Sequence, residues 1–555
     1  MSGDDDIKKV PFLDLNVTER SLEMEKRPDG SILMRAGLAP ASYPDQISYY
    51  LRKWDEEAPD RVFLAERDGP DSWRELTYGQ ARDMADRVSQ GLLDRGHGPD
   101  RPIASLGGTA DGGNCIDMGI LKLAAMQVGI PFMPISPGYS LMSEDFAKLK
   151  YIFTQTEPSL VFIPDRTAYG KALAAVEFAG ADITEGLGDL AAAEPGASFH
   201  GAYDSVTPDS MAKILFTSGS TGMPKSVITT QCMLCFNTET KAQVMPFLDE
   251  RPQVFLDWMP WNHVAGGNVN FNLTLHCGGT LYIDEGKPQP EPFKKTLRNL
   301  RDIQPTAFIS IPLVYDMLVP HLEADDAFCH HVLEKMDFLF YAGAPLPSSL
   351  WDRLEVLSVK ARGKRIPFFS SLGATETAPS CTFCNWPSQV SGNLGLPVPG
   401  VEIKLAPTAG KLEMRVKGPN VTPGYYKDDE TTRAAFDEEG FYCMGDALRF
   451  VDEDRPEEGL LFDGRISENF KLMTGTWVQT GTLRTDAITA MAPYVQDVAV
   501  AGDGEREVGL LVFPTVAGRD KESGELRGEL QAGLRAHNEK KFRLEPAHRP
   551  HHDHG

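Results

Sequence analysis

Nowhere in the 555 residues is there an apolar run approaching the ~20 that a membrane-crossing helix needs. The opening stretch, MSGDDDIKKVPFLDLNV, has no apolar core of a signal peptide, so a cytoplasmic protein without membrane insertion is expected. A basic excess is also lacking, since 55 Lys and Arg stand against 79 Asp and Glu for a formal net charge of -24. That field repels DNA, RNA and anionic membranes, and no nucleic-acid partner is expected. Cysteine is sparse and scattered, with 8 in the whole chain, as in proteins of a reducing compartment. Two C-x-x-C pairs, Cys232/Cys235 and Cys381/Cys384, could in principle offer thiolates to zinc. They lie far apart and the first falls in a helical stretch, so buried structural thiols are expected instead. Internal repeats, long low-complexity tracts and the Gly-x-Ser-x-Gly elbow of serine hydrolases are all missing.

What is present is a chain of 41% hydrophobic residues, too long for a single core to keep growing, so at least two domains are expected. Short apolar runs, each followed by a turn or a Gly-containing loop, recur at 158–164, 213–219, 253–260, 306–312, 337–343 and 366–373. Such runs read as buried strands, and helix patterns lie between several of them. The clearest helix starts at Thr77, where Thr77 and Gln80 form a capping-box signature. Ala81, Met84, Ala85, Val88 and Leu92 then share one face. This alternation predicts an α/β fold of layered, mostly parallel sheets with ligand sites at the carboxyl ends of strands.

The most informative segment is Thr217-Ser218-Gly219-Ser220-Thr221-Gly222-Met223-Pro224-Lys225, directly after the strand KILF. Its glycines let the backbone curl around a polyphosphate, its hydroxyls can donate to phosphate oxygens, and Lys225 adds a positive charge. In so acidic a chain, a site for a polyanion has to be built from local donors of this kind. It is not a Walker A loop, because Pro224 stands where G-K-[ST] requires glycine. The alternative for the same residues is an ordinary Ser/Gly/Thr surface turn.

TSGSTGMPK resembles the phosphate-binding signature of the adenylate-forming superfamily, which includes acyl- and aryl-CoA ligases. The other signatures follow in that family's order: Tyr341-Ala342-Gly343-Ala344-Pro345-Leu346, Ser371-Leu372-Gly373-Ala374-Thr375-Glu376, Tyr442-Cys443-Met444-Gly445-Asp446, and Gly464-Arg465. The likeness runs from about Pro40 to about Pro514 and rests on ordered co-occurrence, since each motif alone is weak. Within the superfamily, 58–68, 134–149 and 464–484 are most similar to feruloyl-CoA synthase, a ligase for hydroxycinnamic acids.

The resemblance implies a large N-terminal domain, residues 1–463, of mostly parallel sheets with a β-barrel-like subdomain. It also implies a small mobile α+β domain, 464–540, followed by an irregular His-rich tail, 541–555. The implied activity is ATP-dependent joining of an aromatic, ferulate-like carboxylic acid to coenzyme A through an acyl-AMP, with ATP, Mg²⁺ and coenzyme A as cofactors. By the same resemblance the loop from Thr217 to Gly222 with Lys225 holds the β- and γ-phosphates. Gly343, Ala344 and Pro345 flank the adenine, as do Ser371, Gly373 and Ala374 in the next motif. Thr375 bonds the α-phosphate and Glu376 holds the metal, a hard cation that wants oxygen ligands. Asp446 and Arg465 take the ribose hydroxyls. His263 matches the gate beside the acid carboxylate, Ser467 the hinge position, Lys471 a lysine of the thioester-forming half-reaction, and Gly475 a passage for the pantetheine arm. Asn268, Phe271, Asn272, Ile311, Pro312 and Ala344 are expected to line the acid pocket. Each residue also has a plainer reading: a helix cap with a first-turn acid for Thr375 and Glu376, a turn for Asp446, a surface charge for Arg465, a core histidine for His263.

The chain departs from the family late in the small domain. Relatives carry there a lysine that reaches the α-phosphate and the acid carboxylate, whereas this sequence runs through Asn538-Glu539-Lys540-Lys541 into the histidine-rich tail. Lys540 and Lys541 read as solvated surface charges. If these 555 residues are the whole protein, slow adenylation with surviving thiolysis of supplied acyl-AMP is the expectation. A medium-chain fatty acid ligase and a non-catalytic nucleotide-binding protein are the alternative readings. Val264-Ala265-Gly266-Gly267 after His263 supplies no carboxylate for an α-amino group, which disfavours amino-acid substrates. The sequence leaves oligomeric state open, a homodimer included.

Overall fold

The apolar runs are strands in a computed structural model that describes residues 7–178, 180–218, 222–468, 470–474, 477–478, 480–502 and 505–544. Four of them, Val254–Asp257, Ala307–Ser310, Phe338–Tyr341 and Phe368–Gly373, are consecutive parallel neighbours in a nine-stranded sheet. Thr280–Ile283 and Val62–Arg67 extend the parallel stretch. Antiparallel strands border it, Ser380–Cys384 on one side and Trp73–Thr77 on the other. The runs are continuous in apolar residues because both faces are covered. Leu300, Tyr315, Val319, Leu339, Trp351 and Phe368 belong to one buried cluster, and the Tyr315 hydroxyl bonds the Phe308 and Phe340 carbonyls, each at 2.7 Å.

The runs at 158–164 and 213–219 become Leu160–Ile163 and Met211–Ser218 of a six-stranded sheet. Leu160–Ile163 pairs in parallel with Ile103–Ser105, which pairs with Phe132–Pro134. The border strand Pro224–Thr230 is antiparallel to Met211–Ser218, so the two ends of the phosphate-loop motif pair side by side. Strand Glu23–Lys26 pairs antiparallel with Ile32–Arg35 at one end of another sheet.

Helix Tyr78–Asp94 begins where the capping box places it: Thr77 Oγ1 accepts from the Gln80 N–H at 3.3 Å, and Gln80 Oε1 accepts from the Thr77 N–H at 3.0 Å. Ala81, Ala85, Val88 and Leu92 are fully buried, whereas Met84 is half-buried at the margin of that face. Cys232 and Cys235 lie in helix Gln231–Val244 and Cys381 and Cys384 in strand Ser380–Cys384, and none of the four is joined in a disulfide. Among the described residues no group of three or more His, Cys, Asp or Glu is placed to hold a metal, and no helix is long and apolar enough to cross a membrane.

By compactness the chain divides into a large unit, 1–404, 415–444 and 450–461, and a small one, 405–414, 445–449 and 462 onward. A boundary drawn once along the chain at 463/464 misses the two strand segments that the small unit takes from earlier residues, because compactness follows space rather than sequence. In the small unit, Val495–Ala501 pairs antiparallel with Gly509–Pro514. Ala487, Met491, Val495 and Val498 form its core, with Leu510, Val512, Leu530 and Leu534 packed against it. The last helix, Ser523–Leu544, continues past residue 540, which corrects the expected start of the tail at 541; Lys540, Lys541, Arg543 and Leu544 are all strong helix formers.

Candidate active site

Most of the expected site in the large unit lies beyond the carboxyl ends of neighbouring parallel strands, where a parallel sheet leaves room for ligands. Trp258 to His263 follow Val254–Asp257, Ile311 and Pro312 follow Ala307–Ser310, Gly343 to Pro345 follow Phe338–Tyr341, and Ser371 to Glu376 end Phe368–Gly373. Gly343, Ala344 and Pro345 are exposed, a ledge open to a ligand. Ser371, Gly373, Ala374 and Thr375 are half-buried beside them.

The phosphate loop is described at both of its ends. Thr217 pairs with Lys225 and Ser218 with Pro224. Gly219, Ser220 and Thr221 lie outside the described residues, as does the side chain of Ser218. Gly222 is exposed at φ 84°, a conformation that favours glycine. Lys225 is half-buried with its Nζ 5.1 Å from the centre of the Tyr425 ring. The Tyr425 hydroxyl in turn donates to Glu376 Oε1 at 3.1 Å. Loop lysine and motif carboxylate therefore meet on one phenol. Burial, then the charge of Glu376, pushes the phenols of Tyr425 and Tyr442 well above their usual value, which keeps both as hydrogen-bond donors to the carboxylate.

Glu376 is 7% exposed in a short 3₁₀ turn, Thr375–Thr377. The turn is braced from behind. Asn237 Nδ2 donates to the Ser380 carbonyl at 2.9 Å, and Asn420 Nδ2 donates to those of Thr377 and Ser380, each at 3.1 Å. The Glu376 carbonyl accepts from the Thr422 N–H at 2.7 Å. Lys241, lowered by burial to about 7, donates to the Asn237 carbonyl at 2.9 Å. Gly373 has to be glycine, because a Cβ there would sit 1.6 Å from the Pro379 carbonyl oxygen. A buried carboxylate with hydroxyl donors and no ion pair among the described residues is a fitting ligand for one hard divalent cation that keeps its other oxygens from substrate and water.

His263 is anchored by its own backbone. Its N–H donates to the Pro260 carbonyl at 3.0 Å, its carbonyl accepts from the Gly267 N–H at 2.9 Å, and ring Nδ1 accepts from the Ala265 N–H at 3.2 Å. That leaves Nε2 carrying the proton of the neutral ring. Desolvation by the surrounding protein lowers its pKa. Nearby, burial pushes Asp257 up to about 7. Phe271 is no pocket residue: it is fully buried, 5.0 Å from the Trp261 ring and 5.6 Å from Phe63. Its side of the helix faces the core because Tyr78 and Phe63 stack beneath it. Asn268 and Asn272 are buried, and neither amide atom of Asn272 has a hydrogen-bond partner among the described residues. Ile311 and Pro312 are half-buried.

In the small unit, Arg465 Nε lies 3.2 Å from Asp446 Oδ1. Burial raises the Asp446 carboxyl, against the opposing pull of Arg465. Ser467 is exposed in a short 3₁₀ turn, Ile466–Glu468. Lys471 pairs with Trp477 in a two-stranded ladder; its side chain and Gly475 lie outside the described residues, as do the side chains of Lys540 and Lys541. Sequence reasoning missed Tyr425, Asn237, Asn420, Lys122 and Lys213. The signal for Lys213 was visible as a lone lysine inside the apolar strand AKILF. Lys122 stands alone in the same way inside the apolar helix GILKLAAM, whereas Tyr425, Asn237 and Asn420 gave no local signal, because their importance lies in contacts between distant segments.

Residues 51–426 match the family described as AMP-binding enzyme. A 3-hydroxybenzoate–CoA ligase of Aromatoleum sp. (strain CIB) is 23% identical over 492 residues, covering 83% of this chain and 86% of that protein. The peroxisomal long chain acyl-CoA synthetase 6 of Arabidopsis thaliana is 24% identical over 339 residues; the match covers 53% of this chain and 46% of the synthetase. Among solved structures, ATP-bound MatB from Rhodopseudomonas palustris superposes with a TM-score of 0.66 at 22% identity, over 88% of this chain and 92% of the other.

Proposed function

Because the chain belongs to the AMP-binding enzyme family, we propose that it is an AMP-forming acid:CoA ligase acting on a hydroxycinnamate-type aryl acid. In the first half-reaction a carboxylate oxygen attacks the α-phosphorus of ATP, the bond to pyrophosphate breaks, and an acyl-AMP forms. In the second, the thiolate of coenzyme A attacks the acyl carbon and AMP leaves. Both steps depend on positioning and on stabilising charge that builds on phosphate oxygens.

The observation that carries the reading is the convergence of Lys225 and Glu376 on Tyr425, beside the paired ends of the phosphate loop. Lys225 and the loop hydroxyls take the β- and γ-phosphates, and the braced Thr375 donates to the α-phosphate. Magnesium, when bound, offsets charge on the phosphates, and Glu376 is its protein ligand. Asp446 and Arg465 take the ribose, Gly343 to Pro345 border the base, and the Nε2–H of His263 orients the acid carboxylate. Lys471 serves the thioester-forming step.

The aryl assignment is supported by the feruloyl-CoA synthase-like stretches and by the benzoate-type relative. Pyrophosphate release with ferulate, benzoate and octanoate, together with detection of the CoA thioester, tests it. A clear preference for octanoate overturns the aryl acid in favour of a fatty acid, and no thioester with any acid favours a non-catalytic nucleotide-binding protein. Lys225→Ala is expected to abolish measurable ATP binding in calorimetry with Mg²⁺; unchanged binding refutes the phosphate-loop role.

A further inference from the structure

Two lysines behind His263 take no part in the roles assigned above. Lys122 on helix Ile116–Met126 and Lys213 on strand Met211–Ser218 are 1% and 0% exposed. A buried ammonium ordinarily stands beside a carboxylate. Among the described residues neither lysine has one. Instead both amines donate to a single carbonyl oxygen, that of Gly267, at 2.8 and 2.9 Å. Lys213 also donates to Asn268 Oδ1 at 2.6 Å, and Lys122 Nζ stands 3.4 Å from the centre of the Phe271 ring. Burial lowers both pKa values, Lys213 to about 7, so the pair does not need two full charges to persist.

Gly267 belongs to a one-turn π-helix, Ala265–Asn270, a rare wide turn that is frequent at functional sites. It is wedged in place: a Cβ on Gly267 would meet the Trp261 carbonyl oxygen at 2.3 Å. The same turn reaches the histidine: the N–H of Gly267 bonds the His263 carbonyl, and the Ala265 N–H, two residues earlier, bonds the ring. A carbonyl held by two donors on different elements cannot rotate, and the turn that seats the imidazole cannot rotate with it.

We propose that Lys122 and Lys213 are positioning residues for adenylation, acting through the Gly267 carbonyl to hold His263 against the acid carboxylate. The inference rests on the role given to His263. The test is a double-mutant cycle of Lys213→Met with His263→Ala, read as pyrophosphate release from ATP, Mg²⁺ and ferulate, with rates above background in every variant. Lys213→Met is expected to lower kcat/KM for ferulate at least tenfold and to leave KM for ATP within twofold. In the His263→Ala background the same change is expected to cost less than twofold, because the group it positions is gone. Lys213→Gln, which keeps a donor, is expected to recover part of the loss. A loss that simply multiplies with that of His263→Ala, or a Lys213→Met rate within twofold of the parent, overturns the inference while the site reading stands. A wild-type rate for His263→Ala overturns both. If Lys213→Met does not fold, Lys122→Met enters the same cycle with the same outcomes.

Discussion

Replacing Tyr425 by phenylalanine removes one oxygen and leaves the ring under Lys225 in place. The lost hydroxyl donates at 3.1 Å to a carboxylate that is 7% exposed. A hydrogen bond to a charged group contributes about 1.5–3 kcal/mol, which as transition-state stabilisation is about 10- to 150-fold in rate. The Tyr442 hydroxyl also acts on Glu376, so the lower end is expected, about a tenfold fall in the rate of pyrophosphate release. The assay is a Mg²⁺ titration at saturating ATP and acid. The half-saturating Mg²⁺ concentration should rise with the fall in rate, because the carboxylate that holds the cation is no longer oriented. Tyr425→Leu also removes the ring 5.1 Å from Lys225, a further ~0.5–2 kcal/mol that should appear in KM for ATP. A Tyr425→Phe enzyme within twofold of the parent, with unchanged Mg²⁺ dependence, refutes the linkage between loop lysine and carboxylate.

Gly373→Ala brings a methyl group to 1.6 Å from the Pro379 carbonyl oxygen, so it should cost about 1–3 kcal/mol by urea unfolding and lower adenylation more than tenfold by displacing the Thr375–Thr377 turn. Arg365→Met strands Glu355, its buried partner 3.4 Å away, and should destabilise the large unit by about 3–5 kcal/mol; Arg365→Met with Glu355→Leu should regain most of that in the same unfolding assay. Burial alone would lower His276, but Asp249 at 3.1 Å and Glu239 at 3.5 Å outweigh it and hold the imidazole at about 9. With the folded value above the unfolded one near 6.5, this contribution, about 3 kcal/mol, is complete below pH ~6.5 and is lost as pH rises through about 9. In unfolding measured across that range, His276→Gln should show a flatter alkaline loss than the parent.

Which segments become strands was legible in the chain, because a run apolar on both faces can be buried only inside a covered sheet. The helix at Thr77 was equally legible, since its cap and its apolar face are local. The phosphate loop announced itself by composition: glycine, hydroxyl and lysine in nine consecutive residues leave few other uses. Tertiary structure decided what stands behind those residues. Tyr425 lies 200 positions after Lys225 and 49 after Glu376, and nothing local marks it as the group they share. Phe271 looked like a wall of the acid pocket and is core, because helix rotation is set by what packs beneath it. Lys122 and Lys213 meet on one carbonyl only once a helix, a strand and a π turn are brought together. Hydrogen bonds between distant segments depend on the whole chain's packing, and that is why the chemistry could be read from short motifs while the scaffold that aims it could not.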